Sequence, residues 1–315
     1  MSSRVCELAG RGLISPPKWL PSNVHYETIA GGLSYGTSDD DSDFDVHGFA
    51  IPPRDLIFPH LAGEIPGFGR QVKRFEQYQQ HHVLDRDALG GRGRMFDLSI
   101  YSIVKYFHLT MEGNPNMIDS LFTPMNCVLH ATLIGQRVRE QRKIFLHKGC
   151  FHKFKGYAFA QLHKMRGQRE RLEGKRKEEA ERFGFDVKFA AHVVRLLDEC
   201  EQILETGDLI LGRNREELKS IRRGEWAEDQ IRDLFTRKEA HLEELYKSSP
   251  LPHGPDEPKI KALLLECLEQ HYGSLSAVIV LPDASKQALA EISQILVRYE
   301  ASESLIQGDE LRNGR

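Results

Sequence analysis

The sequence feature that most constrains the fold is the stretch GGLSYGTSDDDSDFDVHG at residues 31–48. Two glycines open it, and near its end Asp43 and Asp45 alternate with Phe44 and Val46. In a β-strand, residues two apart point to the same face. The alternation therefore predicts a strand that buries the two apolar side chains in a core and presents the two carboxylates side by side on the other face.

Two neighbouring carboxylates repel each other unless a cation lies between them. Mg²⁺ prefers oxygen ligands and commonly binds one or two carboxylates together with substrate phosphates. Gly31 and Gly32 have no side-chain bulk, so the backbone can approach a triphosphate closely. The stretch therefore predicts a nucleoside triphosphate site with two Mg²⁺ ions, for which Mn²⁺ is an alternative.

Other interpretations of the acidic run fit these residues less well. A bare acidic surface loop would not continue into an apolar alternation. A calcium loop needs glycine at its sixth position and glutamate at its twelfth, and neither register, from Asp39 or from Asp41, provides them. A Walker-type phosphate loop needs Gly-Lys-Ser/Thr, which the run lacks.

Periodicity divides the chain into an α/β part and a helical part. Strands are predicted for VHYETIAGG at 24–32, which runs into the glycine turn, and for DFDVHGFAIPP at 43–53. Residues 60–94 are rich in glycine and polar residues and predict a loop-rich excursion. The segment at 94–113 begins as a strand and becomes a helix, and MNCVLH at 125–130 predicts another strand.

From about residue 131 the pattern is helical almost throughout. KFAAHVVRLLDECEQILETG, at 188–207, is the clearest amphipathic helix, and residues 248–258 predict a linker between helices. We therefore predict a small α/β domain at 1–130 followed by a helical domain at 131–315.

A Gly-Gly or Gly-Ser turn followed by Asp-x-Asp resembles the signature of the DNA polymerase β-like nucleotidyltransferase superfamily. GGLSYGTSDDDSDFDVHGF is similar to a subgroup of predicted bacterial and phage nucleotidyltransferases, some of them linked to RNA repair. That subgroup carries Gly-Ser-x-Ala-Tyr-Gly before Ser-Asp-x-Asp-Val-x-Gly. Gly32 stands where the subgroup usually has serine, and Ser34 is the alternative source of that hydroxyl. The similarity extends with gaps over residues 28–225 and includes GNPNMIDSLF and ETGDLILGR.

The resemblance implies an α+β fold, in which a small mixed-sheet nucleotidyltransferase domain is followed by a helical domain. It also implies a third metal-binding carboxylate on a neighbouring strand, for which Asp97 in RMFDLSIYS is the candidate. The alternative is that Asp97 caps the following helix. Asp85 and Asp87 share the two-residue spacing but lie in a polar, glycine-rich segment, and we interpret them as loop acids.

Two sets of polar residues in the helical half share one helix face each, because their members are spaced i, i+4 and i+7. The second set is Lys188, His192 and Arg195, for which the resemblance favours triphosphate contacts. The alternative for this set is a basic edge of an amphipathic helix. We assign acceptor binding to Tyr157, Gln161 and Lys164. The predicted nucleotide-binding residues are Gly31, Gly32, Ser34, Tyr35, Ser42, Lys188, His192 and Arg195, and the predicted catalytic and metal-binding residues are Asp43, Asp45 and Asp97.

The reaction implied by the resemblance is metal-dependent transfer of a nucleoside monophosphate from a triphosphate such as ATP to an acceptor hydroxyl, with release of pyrophosphate. An RNA end, tRNA included, is the first choice of acceptor, and a protein or a small molecule is the alternative. A non-catalytic nucleic-acid- or partner-binding module is the alternative of a different class.

Bulk composition sets outer limits. The net charge of −3 does not by itself indicate a nucleic-acid partner, although residues 137–182 are basic and predict a solvated helix face or, alternatively, a polyanion-binding surface. Five scattered cysteines argue against a disulfide framework. No apolar run approaches the roughly 18 residues of a membrane span. We therefore expect a cytoplasmic protein without membrane contacts, and the sequence carries no indication of oligomeric state.

Overall fold

A computed structural model describes residues 2–37, 43–58, 74–167, 174–273 and 292. The chain divides into two compact units, one formed by Met1–Pro53 with Phe75–Cys267 and the other by Arg54–Arg74 with Leu268–Arg315. The sheet and the candidate site described below belong to the first unit. The division of the chain into domains at residue 130 stays a prediction.

In the described part of the chain, five strands form one mixed sheet in the order β3-β4-β2-β1-β5. Strand β2 pairs in parallel with β4, and the other neighbours are antiparallel. The mixed sheet and the accompanying helices confirm the α+β class. The strands are β1 (Val24–Ala30), β2 (Phe44–Ala50), β3 (Gln77–Asp85), β4 (Arg94–Ser102) and β5 (Val128–Ala131).

Strand β3 corrects the prediction of a loop-rich excursion over residues 60–94 for the part from residue 74 onward, and residues 60–73 lie outside the described residues. It lies at the edge of the sheet, where most of its side chains stay in water, so its polar composition resembles that of a loop. Asp85 is also not a loop acid. It ends β3 as a buried carboxylate that accepts hydrogen bonds from the Arg11 guanidinium at 2.6 and 2.7 Å.

The predicted change from strand to helix within residues 94–113 is confirmed, because Ser102 ends β4 and its hydroxyl caps the next helix by accepting from the Lys105 amide. The helix predicted for 188–207 is confirmed and ends at Gly207 in a left-handed conformation. The helices are α1 (Arg4–Gly10), α2 (Arg54–Ile57), α3 (Ala88–Gly91), α4 (Ile103–Met111), α5 (Pro115–Phe122), α6 (Leu133–Glu140), α7 (Cys150–Gly167), α8 (Gly174–Phe183), α9 (Val187–Thr206), α10 (Arg215–Arg222), α11 (Glu228–Ser248) and α12 (Glu257–Tyr272).

The two faces of the sheet carry different layers. Val46 and Leu98 are fully buried on one face, in a cluster with Val5 and Leu8 of α1, and Phe44 packs against the same cluster. Burying each such side chain stabilises the fold by roughly 1.5–3 kcal/mol. The prediction that Phe44 and Val46 point into a core is therefore confirmed.

The opposite face is covered in part by α4 and α5. Phe49 lies four residues after Asp45 and on the same face, where its ring packs 5.1 Å from that of Tyr106 on α4. Tyr26 reaches α5, because its hydroxyl donates to the Ser120 carbonyl at 2.9 Å. These contacts fix the helical layer at one end of this face.

The helical part of the first unit is organised around α9, against which α7, α10 and α11 pack. The apolar stripe predicted for α9, which begins at Phe189, is buried at Val193, Leu196, Leu197 and Cys200, whereas Phe189 is half-buried. The cysteines at 6, 127, 150, 200 and 267 are all free thiols. Within the described residues, no helix has the length and apolar character needed to cross a membrane.

Candidate active site

The parallel pairing of β2 with β4 places Asp45 directly opposite Asp97. Both carboxylates therefore lie on the same face of adjacent strands, and Asp43 stands exposed just before β2 begins. All three border one cavity of about 420 Å³. The described residues that line it are Gly31, Gly32, Tyr35, Thr37, Asp43, Asp45, Asp97, Lys188, Ala191, His192, Arg195, Leu218 and Arg222.

Asp45 carries the clearest electrostatic signature of the cavity. Burial, followed by the Asp97 and Asp43 carboxylates, raises its pKa to about 6, against the opposing effect of the Lys188 ammonium. Negative charge at this position is therefore under-compensated by the protein itself. A hard divalent cation bound between the carboxylates would supply the missing compensation, so the donor set fits Mg²⁺ or Mn²⁺.

The three aspartates share a cavity, but their oxygen atoms do not all lie within 4.8 Å of one another. Among the described residues, a different trio has potential metal-ligand atoms within 4.8 Å of one another, namely Glu201, Glu205 and His241. Glu201 already accepts from the Arg213 guanidinium at 3.0 Å and pairs with Lys238. The Glu201 carboxylate of this second cluster is therefore already balanced by cations of the protein.

Asp97 is held from the edge strand. Its Oδ1 accepts a hydrogen bond from the His82 amide at 2.7 Å, and its Oδ2 lies 3.7 Å from Nδ1 of His81. The pairing of β3 with β4 shifts register between Gln80 and Val83, and His82 has a φ of 57°, which is uncommon for a residue other than glycine. The bulge thus turns a backbone donor toward the carboxylate.

The alternative interpretation of Asp97 as a helix cap is wrong. The residue lies inside β4, and the cap of α4 is Ser102, five positions later. The side chain of Asp97 is 27% exposed, so it can be reached from the cavity while its orientation is fixed.

The glycine turn adjoins Asp45. Gly31 has a φ of 73°, and a Cβ at this position would lie 2.6 Å from Asp45 Oδ2. A side chain would therefore be strained and would also displace the carboxylate. Ser34 is buried, and its hydroxyl donates to the Gly31 carbonyl at 2.8 Å. Ser42, a predicted nucleotide-binding residue, lies outside the described residues.

Helix α9 forms the wall opposite the carboxylates. Asp186 caps its N-terminus by accepting from the Lys188 amide at 2.9 Å, and the Lys188 side chain is exposed near Asp45. The N-terminal end of a helix carries partial positive charge, which adds to that of the lysine. Burial, followed by the nearby cations beginning with Arg195, lowers the pKa of His192 well below its usual value, so this imidazole is neutral at pH 7.

Arg195 lines the cavity but is engaged by other side chains of the protein. Its Nη1 donates to Tyr35, Asp119 and Glu199, and the guanidinium lies 4.2 Å from the centre of the Tyr35 ring. Its side chain is 9% exposed. The charge of Arg195 is thus balanced by buried carboxylates, and Tyr35 is fixed because its hydroxyl donates to Asp119 at 2.6 Å. The nucleotide-binding roles of Arg195 and Tyr35 stay predictions.

Several residues of the site were not identified from sequence. Asp119 lies in the segment GNPNMIDSLF, from which no site residue was predicted, yet it is buried at the centre of the Arg195 network. An acid among the apolar residues of α5 was the available signal. Arg222, at the end of α10, is an exposed cation that lines the cavity, and Thr37 contributes a hydroxyl that donates to the Gly32 carbonyl.

The predicted acceptor-binding residues lie on α7, outside the residues that line the cavity. Tyr157 and Lys164 are exposed and Gln161 is half-buried. The Tyr157 hydroxyl accepts from Asn114 Nδ2 at 3.2 Å, and Lys164 Nζ is 6.0 Å from the centre of the Phe189 ring. The set therefore runs from the start of α5 toward the first turn of α9, and its role in binding stays a prediction.

Comparison with known proteins places this chain in a family. The model of the RNA repair pathway DNA polymerase beta family matches residues 18–298. A solved nucleotidyltransferase-like protein from Exiguobacterium sibiricum 255-15 is similar at 10% sequence identity and a TM-score of 0.27, with coverage of 77% of this chain and 73% of that chain. No curated protein sequence matches the chain. Since the family match covers most of its length, the chain belongs to the RNA repair pathway DNA polymerase beta family and is a polymerase β-like nucleotidyltransferase.

Proposed function

We propose that this member of the RNA repair pathway DNA polymerase beta family transfers a nucleoside monophosphate from a nucleoside triphosphate, ATP included, to a hydroxyl at an RNA end. One observation carries the proposal. Asp45 and Asp97 are register partners on parallel strands, and they border the same cavity as the cations Lys188 and Arg222. Carboxylates for metal and cations for phosphate are the two charge types that nucleotidyl transfer requires.

The three aspartates at positions 43, 45 and 97 would hold two Mg²⁺ ions, with Mn²⁺ as an alternative. The fit rests on the oxygen donor set and on the under-compensated charge that raises the pKa of Asp45. When bound, the ions supply Lewis-acid stabilisation of the charge on the transferred phosphoryl group and orient the reacting oxygens.

The side chains of the protein carry the remaining steps of this proposal. Asp97, oriented by the His82 amide, accepts the proton of the acceptor hydroxyl as that oxygen attacks the α-phosphorus and pyrophosphate leaves. Lys188 and Arg222 line the cavity, and in the described structure neither of them forms an ion pair, whereas Arg195 does. In this proposal, Lys188 and Arg222 therefore bind triphosphate oxygens. Neutral His192 contributes a hydrogen bond and no charge.

In this proposal, each of the two predicted domains supplies a different part of the site. Residues 1–130 supply the carboxylates and the glycine turn, and residues 131–315 supply the cationic wall. RNA is the proposed acceptor, with tRNA among the candidates, because the family is described by an RNA repair pathway. A protein hydroxyl and an aminoglycoside are the acceptors against which the proposal is tested.

The test is transfer of label from α-³²P nucleoside triphosphates, with and without Mg²⁺, to RNA carrying a free terminal hydroxyl, to protein and to an aminoglycoside. Asp97→Asn should lower transfer to RNA by about 10²–10⁴-fold, the range for loss of a general base. Asp87→Asn is the matched control, since Asp87 is an 88% exposed carboxylate outside the cavity. Full activity of Asp97→Asn would contradict the assigned site, and labelling of protein or aminoglycoside alone would contradict the RNA acceptor.

A further inference from the structure

A surface of uncharged polar side chains continues from Asp97 along the sheet. Ser99 and Tyr101 follow Asp97 at two-residue intervals on β4, so all three share one face. At about 3.3 Å per residue, Tyr101 lies roughly 13 Å along the strand from the catalytic carboxylate. We name this set the polar strip. Its members are Gln77, Gln79 and Tyr157, which are exposed, Tyr101 and Asn114, which are half-buried, and Ser99, which is buried beneath Gln79.

The sheet part of the polar strip is a hydrogen-bonded series across two strands. Gln79 pairs in register with Ser99, and its Nε2 donates to Ser99 Oγ at 3.4 Å. Gln77 pairs with Tyr101, and its Nε2 donates to Gln79 Oε1 at 3.1 Å. Both glutamines are exposed because β3 is an edge strand of the sheet. Their amides can therefore exchange these weak mutual bonds for bonds to a ligand.

The far end of the polar strip carries one phenol ring from each of two elements. Tyr101 is half-buried on β4, and Tyr157 is exposed on α7. The two are close enough that Tyr157 contributes to the raised pKa of Tyr101, which burial causes in the first place. Asn114, the cap of α5, donates to the Tyr157 hydroxyl at 3.2 Å and so joins α7 to the start of α5.

We infer that the polar strip binds the single-stranded RNA segment that leads to the acceptor hydroxyl at Asp97, an inference that rests on the proposed function. The occupant follows from position, because Asp97 borders the cavity, β4 continues from it to Ser99 and Tyr101, and the chain that carries the attacking hydroxyl must leave Asp97 over neighbouring residues. Aromatic rings stack with bases of any identity. Amides and hydroxyls bond base edges and the ribose 2′-hydroxyl.

The chemistry of the polar strip separates RNA from an aminoglycoside. Its six members are uncharged, so they offer no carboxylates for the ammonium groups of an aminoglycoside. They also offer no ammonium or guanidinium group for phosphates, which places base and ribose contacts on the strip. Lys164, two turns beyond Tyr157 on the same face of α7, supplies a cation for the backbone of a longer RNA.

The test is fluorescence anisotropy of a labelled single-stranded RNA with the full-length protein, without nucleotide. Tyr157→Ala should raise the Kd for RNA about 5- to 150-fold, the range for loss of one stacked base. Tyr157→Phe keeps the ring and should stay within about threefold of the wild type. Phe159→Ala is the matched control on α7, because Phe159 is a 51% exposed ring outside the strip. Gln79→Ala should reduce the preference for RNA over DNA of the same sequence.

A wild-type Kd for RNA in the Tyr157→Ala protein would overturn the inference, as would a wild-type protein that binds no RNA. The proposed function fails on a different measurement. If the wild type transfers nucleotide to no acceptor, the function is refuted whatever the RNA affinity. If the wild type transfers nucleotide to RNA, and Tyr157→Ala leaves both the Kd and the KM for RNA unchanged, then RNA binding by the polar strip is refuted and the proposed function stands.

Discussion

Replacement of Arg195 by alanine should destabilise the folded protein strongly. The guanidinium is held by two buried carboxylates, Asp119 and Glu199, whose side chains are 4% and 3% exposed. Removing one member of a buried ionic group costs about 3–5 kcal/mol of unfolding free energy, because the remaining charge is left without compensation in a poorly solvated site. Burial raises the pKa of Asp119 and Glu199, so protonation of either one limits the loss.

A second substitution isolates the ionic part of this loss. In Arg195→Ala/Asp119→Asn, one of the two uncompensated carboxylates is neutralised together with the loss of the guanidinium, and Glu199 remains. The double variant should therefore lose less than the sum of the two single variants, by about 0.5–3 kcal/mol. Additive losses would mean that the two side chains do not interact as the structure shows.

Urea unfolding and isothermal titration with Mg²⁺ and nucleoside triphosphate, carried out on the same samples, distinguish the two roles of Arg195. Lys188→Ala is the matched control, since Lys188 is exposed and lines the same cavity. That control should change stability by less than about 0.5 kcal/mol and weaken nucleotide binding by about 1.5–3 kcal/mol. If Arg195→Ala instead unfolds like the wild type and loses nucleotide affinity on that scale, the structural interpretation is refuted.

Two further predictions follow from the turn and from the sheet. Gly31→Ala should cost about 1–2 kcal/mol in stability and also lower turnover, because its Cβ would meet the Asp45 carboxylate. Gly90→Ala is the control, since Gly90 has a similar φ of 68° but open space around it, and this variant should lose stability alone. Equal turnover in both variants would refute the steric argument. Glu27 is buried beneath α1, and burial raises its pKa to about 7. Its contribution to stability is therefore fully present when the pH lies below the ordinary pKa of a glutamate, and it is lost as the pH rises through 7. Glu27→Gln should therefore flatten the fall in urea-unfolding free energy between pH 5 and pH 8, and an unchanged slope would assign that fall to other groups.

Local patterns in the sequence predicted those parts of the fold that depend on short-range periodicity. The alternation around Asp45 predicted β2 and its two faces, and residues 94–113 predicted both β4 and the helix that follows. Strand β3 was not predicted, because an edge strand exposes polar side chains and needs no apolar face. The bulge at His82 escaped prediction for a related reason, since register shifts are set by the neighbouring strand.

Sequence alone determined which carboxylates and glycines were candidates and which helix carried the basic line, because these depend on residue type and on spacing within one element. Only the tertiary structure decided how these residues are used. It paired Asp45 with Asp97, exposed Lys188, added Arg222 and committed Arg195 to Asp119, which lies 76 residues away in the chain. Whether a cation faces a ligand or neutralises a buried acid depends on the acids that other elements bring to it, and helical spacing contains no information about those elements.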